Sequence, residues 1–254
     1  MKMNVNEGFR SQASLSIGLP AIDLHKNKAQ INKNTLEVSS KDAGGEARLL
    51  DFNMWLPSAS EVYRISADPR DYVVVPVPSI VTNIPNTNGD SASMKELTRF
   101  QPDYGCQTFR TWVGKPTFEE HANTDVTKAK GVILDVFLRP LPKYPRYAKV
   151  VKLLAFDRTK DGVLVNDILT RKIDTYSMGW MYSTYICSVC GAHVGRGVGR
   201  PCPHTRPQQP TYCNEEGKLA YRICQSIHGF ETSAVRNPAY VSAQSPFVYD
   251  LSRL

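Results

Sequence analysis

Nowhere do apolar side chains run on for the roughly 18 positions that a membrane-crossing helix needs, so no helical span is expected. The first twenty residues, MKMNVNEGFRSQASLSIGLP, lack the continuous apolar core of an export signal. A reducing compartment is therefore expected, and the six cysteines read as thiols or metal ligands before disulfides. No His-Glu-x-x-His helix occurs, which disfavours a metallohydrolase of that kind. No run of five Lys/Arg and no interleaving of basic with aromatic residues occurs, so nucleic acid is a minor reading despite a net charge of +7. Internal repeats are absent too.

What is present is strand-rich. Residues 1–48 are polar, with no helical or alternating period, and read as a mobile arm. Residues 49–240 read as one domain, and residues 241–254 as a short tail. Seventeen prolines and sixteen glycines argue for many loops. Residues 64–84 carry a β-branched run, Val73 to Val75, followed by Pro76 and Pro78, the texture of an edge strand or extended segment. GVILDVFLR (131–139) and YAKVVKLLAFDR (147–158) predict a long-looped hairpin, and residues 161–173 a helix capped by Asp161. YSMGWMYSTYICS predicts one strand, and two more are expected in 218–227 and 229–237. The fold class is α+β, mostly sheet with a few helices.

Four of the six cysteines fall between Cys187 and Cys213. Cys187-Ser-Val-Cys190-Gly191 is a metal knuckle in which two thiolates converge on one ion and the glycine lets the backbone turn beneath them. Cys202-Pro-His204 can add a third thiolate and an imidazole, completing a closed tetrahedral zinc set. His193 or Cys213 could instead supply the fourth ligand. The Gly- and Arg-rich loop between, within an insertion spanning 187–213, has no core of its own, so the ion is expected to hold it. Four filled positions leave none for substrate, which makes this zinc structural.

Ser177 stands ten residues before that knuckle, in Tyr-Ser-Met-Gly. A serine hydroxyl is a weak nucleophile unless a neighbouring base takes its proton. Of the five histidines, His25 lies in the arm, His193 and His204 in the metal loop, and His228 at a strand start, leaving His121. GKPTFEEHANTDVTKAKGVILDV, YAKVVKLLAFDRTKD, TYSMGWMYSTYICSVCG with CPH, and GFETSAVRNPAY occur in that order over residues 105–243. Together they resemble the prohead proteases of tailed bacteriophages, serine proteases of capsid maturation grouped by fold with the herpesvirus assemblins.

The resemblance implies a β-barrel-like, mostly antiparallel sheet with flanking helices. It implies His121 as general base, Ser177 as nucleophile and Glu231 as the acid that orients the imidazole; Asp125 and Asp174 are competing acids. It further implies scaffold or core proteins, the major capsid protein and the chain itself as substrates, inside a prohead in the host bacterial cytoplasm. Family members commonly cut after glutamate, so Glu37 and Glu46 are expected self-cleavage points. Oxyanion donors are expected near Ala234–Arg236, and a homo-oligomer is left open. The competing readings are a silent, zinc-stapled scaffold component and a zinc-dependent nucleic-acid-binding module, the latter drawn from the net charge and the GRGVGR loop.

Overall fold

The structure, a computed structural model, describes residues 9–10, 35–38, 48–195, 199, 202–205, 211–213, 217–246 and 248–253. Most of the arm, with His25, therefore lies outside the described residues. In chain order the first elements are strands β1 (Phe9–Arg10), β2 (Thr35–Val38) and β3 (Arg48–Asp51), helix α1 (Phe52–Tyr63), and strands β4 (Tyr72–Val81) and β5 (Asp90–Ala92). Helix α2 (Met94–Thr98) leads to β6 (Phe100–Gln101), β7 (Cys106–Gln107), β8 (Pro116–Glu119), β9 (Gly131–Pro140) and β10 (Ala148–Asp157). After helix α3 (Gly162–Leu169) come β11 (Tyr176–Tyr182), β12 (Thr184–Cys187), β13 (His193–Gly195) and β14 (Thr211–Cys213). The last strands are β15 (Lys218–Ala220), β16 (Arg222–Gln225), β17 (His228–Ala234) and β18 (Tyr249–Asp250).

Eight strands form the main sheet in the order β1-β11-β17-β8-β9-β10-β4-β18, curled into a half-barrel. Its pairings are antiparallel except β17 against β8. Both faces of the central strands are buried, which explains apolar runs that do not alternate. Val73, Val75, Ile133, Leu154 and Phe156 pack with Trp112 and Trp180 on one face. Val74, Val132, Leu134, Leu153 and Ala155 pack under Leu56, Ala59 and Tyr63 of α1 on the other.

The β9/β10 hairpin and the Asp161 cap, whose carboxylate accepts from Leu164 N at 2.9 Å, match expectation. Among the described residues, Pro76 and Pro78 stand where β4 pairs with β10 alone, since β18 meets it at Val73 and Val74. The helix over Phe52–Tyr63 was not expected: it encloses Pro57, ordinarily a helix breaker, and its burial against the sheet outweighs that cost. The single strand expected over 176–188 is two. It breaks at Ser183, because β11 belongs to the main sheet and β12 to a second one, ordered β13-β12-β16-β5. The segment read as a tail also joins the fold: Gln244 bridges Thr175 beside β11, and β18 pairs with β4 at the opposite end of the sheet. Among the described residues no helix is long and apolar enough to cross a membrane.

Candidate active site and metal centre

β11 and β17 run antiparallel with Ser177 opposite Ser233 and Gly179 opposite Glu231. Directly opposed residues share a face, with Cβ atoms about 4.5–5.5 Å apart, so Ser177, Ser233 and Glu231 lie on one side of the sheet. The register then slips: Trp180 faces Gly229, leaving Phe230 as the extra residue of a bulge. Gly179 is what makes room there. A Cβ on it would lie 2.6 Å from Glu231 Oε1 and 2.4 Å from the Phe230 ring. Its carbonyl accepts from Trp112 Nε1 at 3.1 Å.

His121 follows β8 in a tight turn in which Glu120 and His121 both take positive φ, 46° and 57°. Glu120 N donates to Ala234 O at 3.0 Å, tying the turn to the end of β17. The imidazole thereby meets the carboxylate: His121 Nδ1 is 3.1 Å from Glu231 Oε1. Ser233 Oγ donates to the other oxygen, Oε2, at 2.6 Å. The Glu231 side chain has no exposed surface, and that of His121 is 21% exposed.

The competing acids are engaged elsewhere. Asp125 caps the turn Val126–Lys128, accepting from Thr127 N at 2.9 Å and Thr127 Oγ1 at 2.7 Å, which hold its carboxyl below the usual range. Asp174 pairs with Arg171 at 3.2 Å. Two of the amides expected to serve an oxyanion are donated within the fold: Val235 N to Thr175 O, and Arg236 N to Glu120 Oε1, each at 3.0 Å. Ser177 itself is fully buried.

Beneath β17, on the opposite face, lies a residue that no local pattern singles out. Lys152 is fully buried; its Nζ donates to Thr232 Oγ1 at 3.1 Å and sits 4.1 Å over the Trp112 ring. Burial drives its proton affinity well down, against the pull of the Glu231 charge.

No family profile, curated protein or solved structure matches the chain.

The second cluster lies beyond β12. Sγ of Cys187, Cys190 and Cys202 and a ring nitrogen of His204 all lie within 4.8 Å of one another, so the group could hold a metal ion. Cys190 Sγ to Cys202 Sγ is 3.4 Å, Cys202 Sγ to His204 Nδ1 3.2 Å, and Cys187 Sγ to His204 Nδ1 4.0 Å. A tetrahedral ion with ordinary thiolate and imidazole bond lengths needs edges of about 3.5–3.8 Å, so the four fit with small adjustments. Gly191 takes φ 69°, and amides turn inward: Val189 N to Cys187 Sγ and His204 N to Cys202 Sγ, each at 3.4 Å. The Ala192 amide brings the Cys190 thiol down to about 7, while burial pushes that of Cys202 up to about 11.

Of the alternative fourth ligands, His193 is exposed with Nε2 2.9 Å from Thr184 Oγ1, and the Cys213 side chain lies outside the described residues. A buried ion pair ties this unit to β11. Cys187 faces Arg222 in β16, Arg222 Nε donates to Asp90 Oδ1 at 2.6 Å, and Tyr182 OH reaches the same oxygen at 3.3 Å. Burial pushes the Asp90 carboxyl up and the arginine beside it opposes that shift.

Proposed function

We propose that the chain is a serine endopeptidase of the prohead type, acting on scaffold or core proteins, the capsid protein and itself during phage head assembly in the host cytoplasm. The contact between His121 Nδ1 and Glu231 Oε1 carries this reading, because Ser177 stands on the same face one strand away. A carboxylate that accepts from Nδ1 fixes the tautomer whose Nε2 is free to act as base. Ser177 Oγ then attacks the peptide carbonyl while Nε2 takes its proton. The tetrahedral adduct expels the amine, which leaves with that proton, and water repeats the sequence on the acyl ester. The curled sheet agrees with an assemblin-like arrangement. The ion is assigned as zinc on its soft, three-thiolate donor set, and as structural because four protein ligands fill its sphere.

Ser177 is covered and two nearby amides are occupied, so the site must open before a peptide can react. That suits an enzyme held silent until assembly. It equally favours the second reading, a scaffold component that keeps the fold without the chemistry.

Co-expression with the shell and scaffold proteins separates the two. Mass spectrometry should find those proteins cut with the wild-type chain and intact with Ser177→Ala. Identical fragments from both, or none from either, would leave the scaffold reading standing and remove the enzyme.

A further inference from the structure

We infer that Ser233 is a positioning residue that locks the Glu231 carboxylate toward His121; this rests on the proposed triad. Glu231 is fully buried, and a buried carboxylate without donors is costly. Among the described residues its oxygens meet two side chains, one on each: His121 Nδ1 at Oε1 and Ser233 Oγ at Oε2. The pattern follows from Glu-x-Ser on a strand, where residues two apart share a face. With Oε2 held at 2.6 Å, rotation about the last side-chain bond would break that hydrogen bond, so Oε1 stays aimed at the imidazole.

Two hydroxyls face each other here, Ser177 and Ser233. A hydroxyl has one proton to give, and that of Ser233 is committed to a carboxylate, so Ser233 serves as the brace, while Ser177 keeps the nucleophile's place it has in the proposed triad. Removing the brace leaves Oε2 buried without its donor and the carboxylate free to turn, which loosens the imidazole on its exposed turn.

The test compares the full chain with Ser233→Ala and Ser233→Thr by proton NMR and by hydrolysis of a capsid-leader peptide. The downfield Nδ1–H resonance of His121, assigned by its loss in His121→Asn, is expected to broaden or vanish in Ser233→Ala. It should persist in Ser233→Thr, which keeps the hydroxyl. In the same alanine variant kcat is expected to fall roughly 10- to 100-fold with KM little changed, and threonine should restore it. If the alanine variant does not fold, Ser233→Cys takes its place, with a weaker donor and an intermediate effect.

Persistence of the resonance in the folded alanine variant overturns the role, as does a cysteine variant whose resonance and rate both equal wild type, or a folded threonine variant that regains neither signal nor rate. The resonance is read without substrate. Its loss in Ser233→Ala alongside a wild-type chain that cuts nothing even when co-expressed with the shell and scaffold proteins would sink the protease reading and leave the brace intact.

Discussion

Gly179 is as much a part of the site as the residues that would do the chemistry. Any side chain there collides with Glu231 Oε1 and the Phe230 ring, both held in a fully buried bulge. Gly179→Ala is expected to turn the carboxylate off His121 and to lower peptide hydrolysis by about 100-fold, since ångström displacements at a reacting centre cost that much. Steady-state kinetics checks this; a variant with unchanged kcat would mean that Glu231 does not act.

Lys152 gives a residue-scale prediction of stability. It is a base whose proton affinity is depressed on folding, so the unfolded chain binds a proton that the folded chain refuses. Stability is therefore lost as pH falls from the lysine's ordinary 10.5 and is fully regained only above it. Lys152→Met should be more stable than wild type at pH 7 by roughly 1–3 kcal/mol, with the gap closing toward pH 10. Denaturant titrations at both pH values measure it.

At the scale of elements, the Cys/His cluster beyond β12 and strand β11 are neighbours in sequence but belong to different sheets. Ser183 separates them, and the Arg222–Asp90 pair with Tyr182 is the buried link between β16, β5 and β11. If the cluster holds the proposed ion, chelation is expected to unpin residues 184–195 and 202–205 first, while β11 and β17 keep their ladder. Hydrogen exchange should then show protection lost over 184–195 and retained at 176–181 and 228–234. Metal analysis should find about one zinc per chain, and Cys190→Ser should reproduce the exchange pattern. Equal loss in both regions would tie the metal to the whole fold.

These elements also show what a sequence can reveal. The β9/β10 hairpin and the Asp161 cap were legible because their signals are local: a long apolar run, a corner rich in proline, a carboxylate three residues before the amide it meets. The gathering of Cys187, Cys190, Cys202 and His204 into a cluster that could hold a metal ion was legible for the same reason, through fixed short spacings. β8 was not. It is four residues long, begins with Pro116, meets β9 only at Pro116 and Thr117, and otherwise pairs with a strand more than a hundred residues away. α1 was hidden by Pro57, whose penalty is offset by burial that no local pattern reveals.

Across the whole molecule, the half-barrel brings the turn after β8 against β17 and sets Ser177 of β11 opposite Ser233, residues far apart in the chain. His121 and Glu231, separated by 110 positions, meet because β8 runs parallel to β17 and its exit turn is tied to Ala234. The residue types were readable in advance, and a motif-by-motif resemblance gave their order. Ser233, Gly179 and Lys152 were not read, because their roles depend on which residue faces which across a ladder with a bulge. Glu231-x-Ser233 carried a faint signal, two polar residues on one face of a strand otherwise buried.

The most direct measurement is labelling of the full chain, co-expressed with the shell and scaffold proteins so that the site can open, with a fluorophosphonate, which esterifies a serine hydroxyl that a neighbouring base has activated. Peptide mapping should place the adduct on Ser177 in the wild-type chain, with none in Ser177→Ala and a strongly slowed reaction in His121→Ala. An adduct on a different serine, or labelling at the same rate without His121, would contradict the proposed site.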